Sequence, residues 1–208
     1  LVPDALSATP LAGALATLTS EAASKGDLEA GLGKTLSCYR VPGIKASRVV
    51  LVRAGNGSAA AVRKAVAAGL ASLKQPNIKK LGLVLSLLDN DNGAVRAAVQ
   101  ACADASYAYT TTKPSAKARA LQQVVVAVAD ASAVQAAFDA GKAMVTGVEF
   151  AKEWANRPAN HATPSLLADA ARALGRKPNI KPEVLGPKEV AALKMGAFMA
   201  VAQGSAEP

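Results

Sequence analysis

Short apolar runs alternate along this chain with segments in which apolar residues recur at helical spacing. The runs cover residues 34–39, 48–53, 81–88 and 121–129. The short connection through Val41, Pro42 and Gly43 predicts that the first two strands pair antiparallel. Because strands that alternate with helices favour parallel pairing under a helical cover, the whole pattern predicts an α/β fold with a mixed, mostly parallel sheet.

Helices are predicted between and after the apolar runs. Thr9, followed by Pro10, is predicted to cap the first helix, whose apolar stripe would begin at Leu11. Ser58 is predicted to cap the second helix. The predicted helices of this part of the chain cover residues 9–26, 58–73, 92–107 and 131–155.

The chain changes character at Asn156, where the long helix is predicted to break. Thr163 and Pro164 are then typical of a fresh helix start. The elements predicted after the break are a helix at 163–175, a strand at 180–185, a helix at 186–196 and a strand candidate at 197–202. We therefore predict an N-terminal α/β domain over residues 1–132, a linking helix over 133–157 and the start of a second α/β domain over 158–208.

The composition limits the class of protein. Hydrophobic residues make up 51% of the 208 residues and charged residues 19%, which favours a folded chain over a disordered one. The longest apolar runs are far shorter than the roughly 20 residues that span a bilayer. Cys38 and Cys102 are far apart in sequence, and two lone thiols favour a reducing cytosol. We expect a cytoplasmic protein without a membrane partner.

A glycine-rich turn between a strand and a helix is the strongest local motif. Gly55 and Gly57 stand in a G-x-G-x-x-A pattern, as in the dinucleotide fingerprint, where glycines let the backbone approach a pyrophosphate. Asp89 ends the next apolar run, but it lies about ten residues beyond the usual spacing of ~20. A tight strand-to-helix turn needs glycine in any case. Nucleotide binding at Gly55 and Gly57 is kept as an alternative.

Gly33, Lys34 and Thr35 imitate the end of a P-loop. The first glycine of that motif would stand at position 28, which is occupied by Leu28. The triplet also precedes a strand, whereas a P-loop follows one. We interpret it as the start of a strand.

His161 is the single histidine of the chain. A catalytic base or a metal ligand needs partners, and Glu153 and Asp169 are weak candidates for that role. Ser165 is explained by capping, since it follows Pro164 in the first turn of a helix, and Trp154 is interpreted as an anchor at the domain junction. We therefore predict no catalytic, cofactor-binding or metal-binding residue in this chain.

The net charge of +9 is compatible with nucleic acid as a partner. The basic residues are spread along the chain in modest groups, which favours a solvated basic face. DNA binding is kept as a second alternative.

The segment between the long helix and the next helix resembles the domain junction of the leucyl aminopeptidase family. That family carries an N-x-P-x-N-x-x-T-P stretch, matched here by Asn156, Pro158, Asn160, Thr163 and Pro164. The end of the chain matches the family pattern M-G-x-x-x-x-V-x-x-G-S-x-E-P through Met195, Gly196, Val201, Gly204, Ser205, Glu207 and Pro208. A looser match covers the hairpin from residue 33 to residue 53.

The resemblance implies an N-terminal α/β domain, similar in layout to a macro domain, joined by the long helix to a peptidase domain. It implies a cytoplasmic homohexamer that removes N-terminal residues, often leucine, from peptides. Two zinc or manganese ions serve that reaction in the family. The family motifs that hold them, F-D-T-G-G and N-T-D-A-E-G-R, do not occur in these residues. We therefore expect this segment alone to bind neither ion and to be inactive.

Overall fold

The described part of the chain separates into two units. The computed structural model describes residues 1–4, 11–73, 78–88 and 92–205. One unit contains residues 1–110 and 115–150, and the other contains residues 111–114 and 151–208. The long fourth helix begins in the first unit, and its last residues belong to the second.

In the first unit strands and helices alternate, as the sequence predicts. The strands are β1 (Thr35–Tyr39), β2 (Arg48–Val52), β3 (Lys80–Val84) and β4 (Gln123–Ala127). The helices are α1 (Ala14–Ser24), α2 (Ala59–Ser72), α3 (Asn92–Ser106), α4 (Ala131–Ala155), α5 (Pro164–Leu174), α6 (Pro187–Ala192) and α7 (Gly196–Ala202), with a 3-10 turn at Ala159–His161.

The strands form two small sheets. β1 and β2 pair antiparallel in a register that places Thr35 opposite Val52. β3 and β4 pair parallel, with Lys80 opposite Gln123. Val2 makes an additional parallel bridge to Arg53. The predicted α/β class is confirmed, and the single sheet is replaced by one antiparallel pair and one parallel pair.

Both faces of β2 are covered by apolar residues. Successive side chains of a strand point to opposite sides, so neighbouring residues of β2 enter different clusters. Val52 belongs to an apolar cluster formed mainly with residues of α2, α3 and β3. Leu51 belongs to a second cluster that contains Ala22 of α1, together with Val2 and Leu28. The helices therefore lie on both sides of β2, which is the arrangement that a central strand of an α/β sheet requires.

α2 lies unusually close to β2. A Cβ atom placed on Gly69 would lie 3.0 Å from Cγ2 of Val52, a distance that side chains do not tolerate without movement. Ala65 and Val66 of the same helix are fully or almost fully buried. Small residues on this face of α2 therefore let the helix approach the strand, as expected for a core that is rich in alanine and valine.

The predicted cap at Ser58 and the predicted helix start at Thr163 are confirmed. Oγ of Ser58 accepts a hydrogen bond from the backbone N–H of Ala61 at 3.4 Å. Oγ1 of Thr163 accepts one from the N–H of Leu166 at 3.4 Å. Each bond satisfies one of the amides that a helix start leaves unpaired.

The start of α1 differs from the prediction. The helix begins at Ala14 after Gly13, whose φ of 68° lies in the left-handed region, and no side chain caps it. Leu11 therefore precedes the helix instead of beginning its apolar stripe. Thr9 and Pro10 lie outside the described residues.

The apolar run at 81–88 is only partly a strand. β3 ends at Val84, and Leu88 N–H donates to the carbonyl of Leu85 at 2.8 Å, which closes a turn. Gly82 is exposed and Leu81 is half-buried, so β3 is not fully covered on both faces. Residues of β3 line a cavity together with residues of β2.

Both strands predicted after residue 175 are wrong. Residues 180–185 have no regular structure, since Pro182 removes a backbone donor and no strand of the described ranges pairs with this segment. Residues 197–202 lie in α7, where the N–H of Met199 donates to the carbonyl of Met195 at 3.1 Å. A short apolar run that lacks a neighbouring strand satisfies its backbone locally, as a helix.

Candidate functional site at the end of helix α4

The second unit begins at the break of α4, which the side chain of Asn156 stabilises. Both the backbone N–H and the side-chain amide of Asn156 donate to the carbonyl of Lys152, at 3.0 and 2.7 Å. The N–H of Arg157 donates to the carbonyl of Trp154 at 3.3 Å. These bonds satisfy carbonyls that the end of a helix leaves without partners. The chain can therefore turn at Pro158 without leaving buried acceptors unpaired.

Arg157 is the centre of the polar cluster at this break. Its guanidinium carbon lies 4.0 Å from the centroid of the Trp154 ring, in cation–π geometry. Its Nη2 lies 3.2 Å from Oε1 of Glu153, one helical turn earlier. Both partners are largely shielded, with 22% of the Arg157 side chain and 30% of the Glu153 side chain exposed. The stacking and the ion pair together fix the direction in which the chain leaves α4.

Glu153 also holds a distant loop. Oγ1 of Thr111 donates to the same Oε1 of Glu153 at 2.5 Å, across 42 residues of sequence. The carboxylate therefore joins the loop at 111–114 to the last turns of α4. Nε of Arg157 is buried and has no hydrogen-bond partner among the residues that the structure describes. The cluster positions chain segments, and its one carboxylate is already used by two donors.

His161 follows the cluster on an exposed 3-10 turn. Its backbone N–H donates to the carbonyl of Pro158 at 2.8 Å, while the residue as a whole is exposed. Asp169, the other weak candidate partner, pairs with Arg172 at 2.8 Å on α5. The predicted capping role of Ser165 is wrong, because Thr163 caps the helix and Ser165 is exposed. Asp169 is engaged in a local ion pair, and that none of these residues is catalytic stays a prediction.

The residues present do not fit a pair of divalent ions. Such a pair requires several carboxylate or carbonyl oxygens that converge on one place. Within the described ranges, no group of three or more His, Cys, Asp or Glu side chains is close enough to hold a metal ion. That no site residue lies in this segment stays a prediction.

The glycine-rich turn before α2 is filled by side chains. Gly55 and Gly57 have φ angles of 59° and 73°, which only glycine adopts without strain. A Cβ at Gly55 would lie 3.6 Å from Leu32 and 4.0 Å from a carboxylate oxygen of Asp4, and one at Gly57 would lie 3.5 Å from Leu88. Apolar side chains and a carboxylate oppose a bound phosphate, so the conformation of the turn explains both glycines. Asp89 lies outside the described residues.

Gly33, Lys34 and Thr35 form the start of a strand, as predicted. Thr35 is the first residue of β1, and Nζ of Lys34 lies 2.6 Å from a carboxylate oxygen of Glu29. The hydrogen bond between them raises the pKa of Lys34 and lowers that of Glu29. The lysine therefore has a local partner, and the triplet does not open a helix.

The two cysteines are free thiols, as predicted. Cys102 is buried in α3, and burial raises the pKa of its thiol to about 11. The thiol therefore stays protonated near neutral pH and is a poor nucleophile. Cys38 is half-buried in β1.

Sequence reasoning identified the break but missed the role of Arg157. The i, i+4 spacing of Glu153 and Arg157 was a usable signal, since such pairs meet on a helix surface. The contact of Thr111 with Glu153 gives no local signal, because it depends on the tertiary path of the chain.

Two family models match the chain in order. The N-terminal domain of the cytosol aminopeptidase family matches residues 3–117, and the catalytic domain of the same family matches residues 149–208. This chain belongs to the cytosol aminopeptidase family. The resemblance to leucyl aminopeptidases at the junction is thereby confirmed, and the cluster around Arg157 lies within the part that matches the catalytic domain.

The relatives of this chain are considerably longer. A probable cytosol aminopeptidase of Albidiferax ferrireducens is 54% identical over 93% of this chain and 40% of its own length. A probable cytosol aminopeptidase of a Polaromonas species is 55% identical over 100% of this chain and 41% of its own length. The chain thus spans about two fifths of the curated relatives that it matches.

The fold is shared with a solved enzyme. The bottromycin maturation enzyme BotP, in a complex with Mn, superposes with a TM-score of 0.66 at 25% identity, over 96% of this chain and 41% of that one. The same enzyme in a second structure gives a TM-score of 0.64. No helix of the described ranges is long and apolar enough to cross a membrane. DNA binding stays a prediction that these comparisons do not test.

Proposed function

We propose that this chain is the N-terminal part of a metal-dependent leucyl aminopeptidase, a cytoplasmic enzyme that releases N-terminal residues from peptides. The proposal is carried by the order of the two family matches, residues 3–117 and then 149–208. It is supported by relatives named probable cytosol aminopeptidases that are 54% and 55% identical to this chain. The activity belongs to the longer protein.

Within that enzyme, the segment serves assembly and regulation. We assign residues 1–132 to an N-terminal domain, 133–157 to a linking helix and 158–208 to the start of the catalytic domain. α4 has 25 residues, of which Val134, Ala137 and Gly141 are the buried ones within the described ranges. Met144 and Val148 are 48% and 40% exposed on the same helix. This apolar surface supports a homo-oligomer, and a hexamer is the state we propose.

The metal ions belong to residues outside this segment. The carboxylates of the junction are paired with arginines, and no metal-ligand cluster occurs in the described ranges. The structural neighbour BotP was solved in a complex with Mn, which supports manganese as the metal of the longer protein, with zinc as the alternative. In such a site the ions supply a polarised carbonyl and an activated water.

The test compares two lengths of the same polypeptide. The complete gene product and the 208-residue chain are each incubated with Mn²⁺ and a chromogenic leucine amide. The complete protein is expected to release the chromophore, and the 208-residue chain is not. The complete protein treated with EDTA is the matched control and is expected to lose activity.

The two parts of the proposal fail separately. Hydrolysis by the 208-residue chain overturns the assignment of the chemistry to residues outside it. A complete protein that folds, binds Mn²⁺ or Zn²⁺ and releases no N-terminal residue from any peptide amide overturns the aminopeptidase function itself.

A further inference from the structure

Basic and acidic residues are unevenly distributed along the first unit. Residues 30–88 contain ten lysines and arginines and no aspartate or glutamate, although the chain has 15 acidic residues in all. Glu29 precedes this stretch and Asp89 follows it. Strands β1, β2 and β3 and helix α2 all lie within it. The positive charge of the stretch is therefore carried by these four elements and their connections.

The fold brings the first residues of β2 and β3 to the same end of the unit. Arg48 begins β2 and Lys80 begins β3, and both line one cavity together with Lys79. β4 begins beside them, because the N–H of Gln123 donates to the carbonyl of Lys79 at 3.1 Å. The cations at the starts of β2 and β3 therefore lie along one edge of the unit.

The hairpin between β1 and β2 adds two further cations at this edge. Tyr39 ends β1 directly opposite Arg48. The N–H of Arg40 donates to the carbonyl of Ser47 at 3.0 Å, so Arg40 lies beside the start of β2. Lys45 lies in the connection between the two strands. Arg40 and Lys45 thus join the cations of the strand starts.

We call this surface the basic end, and it consists of Tyr39, Arg40, Lys45, Arg48, Lys79 and Lys80. Arg48 is half-buried, and the other members are exposed. Among the residues that the structure describes, none of the five cations forms an ion pair. Five cations without a carboxylate partner create a positive potential that attracts anions to this surface.

Several acidic residues of the unit lie at the opposite end of the strands. Glu29 contacts Lys34, which directly precedes β1, and Asp130 follows the end of β4. A carboxylate oxygen of Asp4 lies close to Gly55, which follows the end of β2. These carboxylates are separated from the basic end by the length of the strands and therefore do not neutralise it.

Tyr39 gives the basic end an aromatic surface. The guanidinium carbon of Arg48 lies 4.9 Å from the centroid of the Tyr39 ring, in cation–π geometry. Nη2 of Arg48 also donates to Oγ of Ser37 at 3.3 Å, which holds the guanidinium in place. Tyr39 is nevertheless 63% exposed. An aromatic ring that is positioned in this way and open to solvent can stack on an unpaired base.

We propose that the basic end binds single-stranded nucleic acid, with its cations on successive phosphates and a base stacked on Tyr39. The cations are spread over the hairpin and the starts of β2 and β3, which suits an extended polyanion better than a compact anion. A duplex keeps its bases paired and stacked on one another, so it does not use the Tyr39 ring. This inference is independent of the peptidase activity proposed above.

The test titrates the complete gene product into a fluorescein-labelled strand of about 20 deoxythymidines and follows anisotropy at 50 and 200 mM KCl. We expect binding to weaken steeply with salt, because each phosphate contact releases counterions. Lys79→Gln combined with Lys80→Gln is expected to weaken binding at 50 mM KCl by about tenfold. The salt slope is expected to fall by about 1.4, which is roughly 0.7 for each lost phosphate contact on a single strand.

The matched control is Lys25→Gln combined with Lys64→Gln. It removes the same charge from two exposed positions outside the basic end. This variant is expected to bind the labelled strand within about twofold of the unchanged protein.

A second pair of variants tests the stacked base. Tyr39→Ala removes the ring and is expected to weaken binding of the single strand by about tenfold. Tyr39→Phe keeps the ring and is expected to bind like the unchanged protein. A labelled duplex of about 20 base pairs is expected to bind equally to the unchanged protein and to both variants, because it does not contact the ring.

Three results overturn the proposal, with folding of every variant checked by circular dichroism. No binding of the labelled strand at 50 mM KCl is the first, and binding to phosphatidylserine vesicles instead would then assign the basic end to a membrane surface. Equal weakening by the two double substitutions is the second, since it would assign binding to total charge. Equal binding of the single strand by Tyr39→Ala and Tyr39→Phe is the third, since it would leave no base on the ring.

Discussion

The two units of this chain differ in what makes them fold. In the first unit, α2 and α3 bury Val62, Ala98 and their neighbours almost completely against β2 and β3. In the second, Val190 is the one buried residue within the described ranges, while Phe198 and Val201 are 62% and 85% exposed. Helices form in both units, yet only the first has a core. Because most helical stability in proteins comes from tertiary packing, the short helices of the second unit are expected to be less stable than α2 and α3 of the first.

The comparison is tested most strongly by placing a charge in each unit. Ala98 is fully buried, so Ala98→Asp leaves an unpaired carboxylate in an apolar core. We expect the free energy of unfolding of the first unit to fall by about 3–5 kcal/mol. Val201→Asp is the control in the exposed unit and is expected to change nothing. Urea unfolding followed by circular dichroism measures both, and equal effects of the two changes would show that the units do not differ.

A matched pair of leucine truncations gives the next largest effect. Leu28 is 1% exposed and Leu193 is 60% exposed. We expect Leu28→Ala to lower the free energy of unfolding by about 2–5 kcal/mol, since it removes apolar contacts and leaves a cavity. Leu193→Ala is expected to stay within about 0.5 kcal/mol. A large loss from Leu193→Ala, measured by the same urea titration, would reveal a core in the second unit.

The two helix caps separate global from local stability. Ser58→Ala removes the cap of α2 and is expected to cost about 1 kcal/mol of the unfolding free energy of the first unit. Thr163→Ala removes the cap of α5 and is expected to speed amide exchange only in that helix. Ser165→Ala, in the same first turn without a cap bond, is the control. A shift of the urea midpoint of the first unit by Thr163→Ala would contradict the separation.

The smallest effect compares two glycines of α4. A Cβ at Gly147 would meet nothing within 4 Å, so Gly147→Ala is expected to stabilise the helix by about 0.5–1 kcal/mol. A Cβ at Gly141 would lie 3.3 Å from Cβ of Val99. We expect Gly141→Ala to gain less or to destabilise, because α3 must move to admit the methyl group. Thermal unfolding of the two variants gives their order, and a larger gain at Gly141 would be the opposite result.

Locally encoded features were predictable from the sequence. The bounds of α4, the cap at Ser58 and the helix start at Thr163 follow from residues within a few positions, and the structure confirms all three. The antiparallel pairing of β1 with β2 follows from a short turn. The family follows from fixed residues at fixed spacing around Asn156.

Features that depend on contacts between residues far apart in the sequence were not predictable. A strand at 180–185 and another at 197–202 required a neighbouring strand that no described residues supply. The contact between Thr111 and Glu153 joins residues 42 positions apart. The cavity of about 530 Å³ between β2 and β3 gives no periodic signal in the sequence, because it depends on how the two sheets are placed.

The outer edge of β4 has a practical consequence. Within the described ranges this strand pairs on one side only, with β3, and Val125 in its middle is 56% exposed. Its sequence, from Gln123 to Ala127, contains no charge and no proline. Natural proteins place charged residues or proline on open strand edges to discourage pairing between molecules. We therefore expect concentrated solutions of the isolated chain to self-associate through this edge. Val125→Lys is the substitution expected to prevent that association.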